Sequence, residues 1–148
     1  MEVEQCVFCR IVQGHLPAHI IAESDEVIVF LSLENHPLIV PKQHIQDIYA
    51  LPPDLGSAVM AAAIQVARAV RQSLACQGVY LSQANEAAAG QDVFHYHMHV
   101  YPCWAEKTEG AIRQFASQLM NQQDQTEASK QAIASKLRRA LANWSSAG

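Results

Sequence analysis

The sequence predicts an α+β domain in which a largely antiparallel sheet of about five strands gathers around one central helix. Three observations carry this. Short β-branched or aromatic runs are separated by hairpin-length connections, one apolar stripe recurs at helical spacing between residues 55 and 74, and a stretch near residue 95 alternates with a period of two. At 148 residues, half of them apolar, the chain has material for one substantial core and no composition break that would mark a second.

The elements follow in order. Cys6-Val7-Phe8-Cys9-Arg10-Ile11-Val12 opens the chain, and Gly14 and Pro17 punctuate a turn before His19-Ile20-Ile21-Ala22. Val27-Ile28-Val29-Phe30-Leu31 reads as a buried strand; a turn-like patch at 32–37 leads to Leu38-Ile39-Val40-Pro41, a second strand cut off by proline. Lys42-Gln43-His44 makes the exit. Pro52-Pro53-Asp54 announces a helix with Asp54 as N-cap, and Leu55, Val59, Ala63, Val66, Val70 and Leu74 supply its apolar stripe. That helix is expected to run to about Cys76, closed by Gly78. Residues 79–83 read as another strand, and the alanine- and glycine-rich patch 85–92 as a loop. The tail from Gly110 on predicts a helix through Ile112, Phe115 and Leu119, a polar break at 121–124, and a second helix through Ile133, Leu137, Leu141 and Trp144. Lys136, Arg138 and Arg139 on that second helix read as a solvated face.

His95-Tyr96-His97-Met98-His99-Val100-Tyr101-Pro102 is the organising stretch. On a strand, His95, His97 and His99 share one face while Tyr96, Met98 and Val100 share the other, and Pro102 ends the ladder. Three imidazoles on one face admit two chemistries. They can present neutral nitrogens to a catalytic metal, or one can act as a nucleophile on phosphorus while its neighbours hold the phosphoryl oxygens. The spacing alone slightly favours metal. The residues upstream favour phosphate: Gly90-Gln91-Asp92-Val93-Phe94 offers backbone N–H groups that an anion can approach closely, and Asn85 adds an amide donor.

A net charge of −4 and a pI near 5.9 exclude a field suited to long nucleic acids, while a small anionic ligand in a local site remains compatible. No apolar run is long enough to span a membrane, and Met1-Glu2-Val3-Glu4-Gln5 is acidic rather than a basic leader, which predicts a cytoplasmic protein. Cys6 and Cys9 form a C-x-x-C pair, metal-binding or redox-active in a reducing compartment; Cys76 and Cys103 read as buried, inert thiols.

The stretch from Gly90 to Val100 resembles the signature of the histidine triad (HIT) superfamily of nucleotide hydrolases and transferases. The resemblance extends to Cys6-Val7-Phe8-Cys9, to residues 25–30, to His36-Pro37-Leu38-Ile39-Val40-Pro41-Lys42-Gln43-His44 and to Asn85, and it covers residues 4–104. It implies a HIT-like fold, with a HIT domain over residues 1–110 and a helical extension over 111–148 packed on it. His97 would be the nucleophile that attacks the α-phosphorus of a nucleoside 5′-phosphate derivative, a phosphoramidate or a dinucleoside polyphosphate, and forms a nucleotidyl-histidine that water hydrolyses. His99 would contact the phosphate and assist the leaving group, and His36 would orient the triad. Asn85, Gly90, Gln91, Asp92 and Val93, with His99, would hold the phosphate. Phe8, Ile11, Leu16, Phe30 and Ser32 would line the nucleoside pocket. Zinc-containing bacterial members supply two partners for the cysteines, so Cys6, Cys9, His44 and His95 would hold a structural zinc, with no cofactor required for the chemistry. Members are typically homodimers acting on small nucleotides.

The resemblance breaks at the nucleoside end. Members commonly carry an aspartate for the ribose hydroxyls where this chain has Ser32, and Glu34 is the nearby carboxylate able to compensate. Glu86 and Ala87 replace a glycine-bearing turn, and Cys103 stands where an arginine often follows the proline. Two other functions therefore stay open: a nucleotide-binding module with little turnover, and a metal-dependent hydrolase using the triad as ligands.

Overall fold

The computed structural model describes residues 3–105 and 125–147. A short helix α1 (Val7–Val12) leads into a meander of β1 (Ile20–Glu23), β2 (Val27–Leu31) and β3 (Pro37–Pro41). The long helix α2 (Pro53–Ser73) then crosses to β4 (Gly78–Ser82) and β5 (Met98–Cys103), and α3 (Glu127–Ala147) closes the described chain. The five strands make one sheet in the order β1-β2-β3-β5-β4, antiparallel throughout. This is the predicted α+β architecture.

Both faces of the sheet are covered, which is why β2 and β3 read as continuous apolar runs rather than alternating ones. Val27, Val29, Leu31 and Ile39 face α2 in the larger core cluster, with Val59, Ala63, Val66 and Val70 from the helix stripe. Ile28, Phe30, Leu38 and Val40 point the other way and pack with Phe8 and Ile11 of α1. Ile133, Ala134, Leu137 and Leu141 of α3, spaced as one helical face, join the α2 cluster and cover β1. Among the described residues, no helix is long and apolar enough to cross a membrane.

Four local expectations change. Pro52 rather than Asp54 is the N-cap of α2, because Pro53 occupies the first helical position, where its missing N–H costs nothing. The helix stops at Ser73, with Leu74 as C-cap and Ala75 turned into the left-handed region (φ +51°), so Gly78 starts β4 instead of closing the helix. The histidine ladder is only partly strand. Pairing with β3 reaches back no further than Ile39↔Met98; upstream, the chain bends through residues 93–95 and the Tyr96 N–H turns to Ile45 O at 2.6 Å, so His95 and His97 lie on an irregular lead-in to β5. Pro102 stays inside β5 opposite Val79, since β5 has no β3 partner at that point and the missing N–H breaks no ladder bond. The helix expected through Ile112, Phe115 and Leu119 and the break at 121–124 lie outside the described residues.

Candidate functional site

The predicted alternation of faces survives although the ladder does not. Tyr96, Met98 and Val100 sit in the core under α2, while His95 and His97 face α1, each with its ring edge to face against Phe8 at centroid distances of 5.8 and 5.1 Å. One cavity of about 520 Å³ opens on this side of the sheet. His97 and His99 line it with Asp92 and Val93 from the loop before the triad. Phe8, Ile11, Leu16 and Phe30, the residues the resemblance assigns to a nucleoside pocket, supply apolar walls of this cavity.

The hydrogen bonds assign the protons on the imidazoles. His97 Nδ1–H donates to the backbone carbonyl of His95 at 2.8 Å, which leaves the lone pair on Nε2. Ser32 Oγ accepts from the N–H groups of Glu34 and His36, each at 3.2 Å, so its own proton goes to His36 Nδ1 at 3.0 Å. His36 Nε2 therefore carries hydrogen and donates to His99 Nδ1 at 2.8 Å. The relay ends with His99 Nε2 as an N–H donor. One imidazole thus offers a lone pair and its neighbour a proton. Their rings lie 5.1 Å apart.

Burial keeps the relay neutral. His36 is pushed down to about 3, first by desolvation and then by the charges of His99 and His97. His99 is lowered to about 4, again chiefly by burial, with His97 adding to it. Tyr101 backs both rings, stacked nearly parallel on His99 (5.4 Å, 6°) and tilted on His36 (4.1 Å).

The loop before the triad departs from its expected use. Gln91 is buried, and its amide is spent within the protein: Oε1 accepts from Glu86 N–H at 2.7 Å, while Nε2 donates to Gln46 O (2.7 Å) and Val93 O (3.1 Å). The Asn85 amide pairs with that of Gln83, and its oxygen accepts from Ile48 N–H at 2.8 Å. Both side chains hold the loop in shape instead of facing the cavity. Gly90 makes the bend at φ +90°, where an L side chain is strained. Val93 lines the cavity, and its N–H is held by Asp92 Oδ1 at 2.9 Å. The same oxygen lies 3.5 Å from His97 Nε2.

The other predicted cluster also assembles. The ligand atoms of Cys6, Cys9, His44 and His95 lie within 4.8 Å of one another, the cysteines and His95 buried and His44 half-buried. His95 Nδ1 stands 3.4 Å from Cys6 Sγ and 3.5 Å from Cys9 Sγ, and His44 Nδ1 stands 3.2 Å from Cys9 Sγ. A tetrahedral zinc with ordinary bond lengths sets its ligands roughly 3.3–3.8 Å apart, so the donor set fits. His95 Nε2–H donates to Pro41 O at 2.8 Å, which directs the lone pair of Nδ1 at the sulfurs. Burial, with the Cys6 hydrogen bond and charge beside it, pushes the Cys9 thiol up to about 11; a thiol so hard to ionise alone suits a site completed by a cation.

The HIT domain profile matches residues 13–104. The chain belongs to the histidine triad family. The HIT protein of Bacillus subtilis is 36% identical over 103 residues, covering 67% of this chain and 71% of the relative. A Zn-bound histidine triad protein from Mycobacterium smegmatis superposes with a TM-score of 0.78 at 30% identity, over 99% of this chain and 100% of its own. A histidine triad nucleotide-binding protein from Candida albicans gives a TM-score of 0.63 at 26% identity, over 68% and 76% of the two chains.

Within this HIT chain the sequence pointed to the triad, the apolar walls and the four candidate zinc ligands. It missed what Ser32 does: the residue lines the cavity, yet its hydroxyl is committed to His36. The tight turn responsible, closed by Ser32 N–H to His36 O at 2.8 Å, was legible only as a short loop. It missed altogether that His19, Glu127 and Lys130 line the same cavity.

Proposed function

We propose that this HIT protein binds nucleotides and cleaves the α-phosphate bond of nucleoside 5′-phosphate derivatives, phosphoramidates or dinucleoside polyphosphates, through a covalent intermediate on His97. The observation that carries the reading is the proton assignment: a bare Nε2 on His97 beside an Nε2–H on His99, both lining an apolar-walled cavity with a backbone donor at Val93. His97 Nε2 forms the new N–P bond as the bond from phosphorus to the leaving group breaks, and His99 Nε2–H supplies the leaving group with its proton. Water then attacks phosphorus and gives a proton to His99 Nε2 as the N–P bond breaks, so that both His97 and His99 return to their starting forms. Asp92, whose side chain is 81% exposed, swings aside as the phosphate takes Val93 N–H. Gly90, Gln91 and Asn85 hold that loop in shape.

The same geometry weighs against the triad as a catalytic metal site. His36 and His99 share one proton between facing nitrogens, and the group of metal-ligating atoms found among the described residues is Cys6, Cys9, His44 and His95. When bound there, zinc would neutralise the two thiolates and tie the N-terminal arm to the loops after β3 and before β5. In this reading residues 1–110 are the catalytic domain, residues 111–148 an extension packed on it, and the protein works as a cytoplasmic homodimer.

The test is release of AMP from adenosine 5′-phosphoramidate and diadenosine tetraphosphate by wild type and His97→Ala. Turnover by wild type and none by the variant is expected. Equal turnover by both removes His97 as nucleophile, and tight binding of nucleotide without turnover by wild type favours a binding module instead.

A further inference from the structure

The residues predicted for the nucleoside pocket do not complete the cavity. Glu127 and Lys130, from the first turn of α3, also line it, about 95 to 120 residues further along the chain. Both are held in place. Glu127 Oε1 lies 2.8 Å from Nε2 of His19, itself a lining residue, and Lys130 Nζ donates to Leu33 O at 2.6 Å, strapping the helix to the β2–β3 turn. The helix behind them is rooted in the core by Ile133, Ala134, Leu137 and Leu141, and Arg138 Nε donates to Ile20 O at 2.5 Å. The two charges therefore belong to the wall of the site. Ser32, in contrast, has no hydrogen-bonding capacity to spare: its oxygen accepts twice and its proton is given to His36.

We propose that Glu127 is the group that receives the sugar hydroxyls of the nucleotide, held by His19 on a helix that Lys130 straps to the β2–β3 turn, so that α3 rather than that turn sets the preference for ribonucleosides. The proposal rests on the nucleotide reading above. A carboxylate with one oxygen on a histidine still has acceptor capacity on both, and a vicinal diol presents two O–H donors at matching separation. Glu34, the compensating residue suggested by the sequence, lies in the turn that Lys130 straps and lines the same cavity, which makes it the comparison.

The test measures binding of AMP and 2′,3′-dideoxy-AMP to full-length wild type, Glu127→Ala and Glu34→Ala by calorimetry. Wild type is expected to prefer AMP by roughly tenfold or more, the scale of one charge-assisted hydrogen bond. Glu127→Ala should cut that preference to about threefold or less while leaving the affinity for dideoxy-AMP and the melting temperature in place; a purely structural role would lower both affinities together. Glu34→Ala should keep the preference. An undiminished preference in Glu127→Ala, or its loss in Glu34→Ala alone, overturns the assignment while nucleotide binding stands. Wild type that binds both ligands equally also overturns it, and wild type that binds neither overturns the functional reading with it.

Discussion

His36 ties the stability of the fold to pH in a way a single substitution isolates. Its side chain is 1% exposed and its imidazole is held down to about 3, against an ordinary value near 6.5 in the unfolded chain. Above pH 6.5 both states are neutral there and the residue contributes no pH dependence. Below it, the unfolded chain gains a proton that the folded chain refuses until about pH 3, so stability falls as the pH drops through that window. Each pH unit costs about 1.4 kcal/mol, so at pH 5 the loss from this one group is about 2 kcal/mol. His36→Gln retains polar atoms toward Ser32 and His99 but cannot titrate. Urea unfolding of both proteins at pH 7.5 and pH 5.0 should show a drop that is smaller by about 2 kcal/mol in the variant, equivalent to roughly 1 M in the midpoint at an ordinary m-value. His95 and His99, both lowered by burial, add their own slope to each protein and cancel in the comparison. The same drop in wild type and variant, within about 0.5 kcal/mol, would refute the buried-neutral assignment.

Three further outcomes are expected. Metal analysis of purified protein should find one zinc per chain, and Cys9→Ser or treatment with a strong chelator should remove it and lower the melting temperature; equal thermal stability with and without metal would rule out a structural role. Leu137→Ala, at a fully buried position of α3, should destabilise by about 2–5 kcal/mol in denaturant titrations, whereas a loss under about 1 kcal/mol would mean that α3 does not share the core. Asp92→Asn removes a carboxylate from Val93 N–H and from beside His97 Nε2, where the proposed mechanism brings a phosphate, and should lower KM for anionic substrates severalfold with kcat retained; a collapse in kcat instead would make Asp92 part of the chemistry.

The gap between sequence and structure has a consistent physical cause. Period and punctuation place elements well, because the 3.6- and 2-residue repeats follow from covalent geometry. The α2 stripe and the buried runs of β2 and β3 were legible for that reason. Element ends were less so: Pro53 displaced the cap from Asp54, and Ala75 rather than Gly78 took the left-handed turn, since end positions answer to small differences in local backbone energy. The direction of an amide was not legible at all. Gln91 and Asn85 carry donors suited to an anion, yet both turn inward, because the partners that claim them, Gln46 and Ile48, come from a segment some 40 residues away.

By itself, then, the chain declared a HIT-like α+β sheet, a face of imidazoles opposite a face of core residues, and a C-x-x-C pair awaiting two histidines. Each is a pattern written within a few residues or repeated along one element. Which nitrogen of His97 is bare and which residue Ser32 serves were decided by backbone turns two and four residues across that the pattern does not specify, and whether four candidate ligand atoms converge within 4.8 Å was decided only when distant segments met. The contribution of α3 to the cavity is the limiting case. Glu127 and Lys130 sit in a tail with no diagnostic motif, and their place beside His19 and Leu33 arises from the burial of Leu137 and Leu141 against α2, a packing event that carries no local signature.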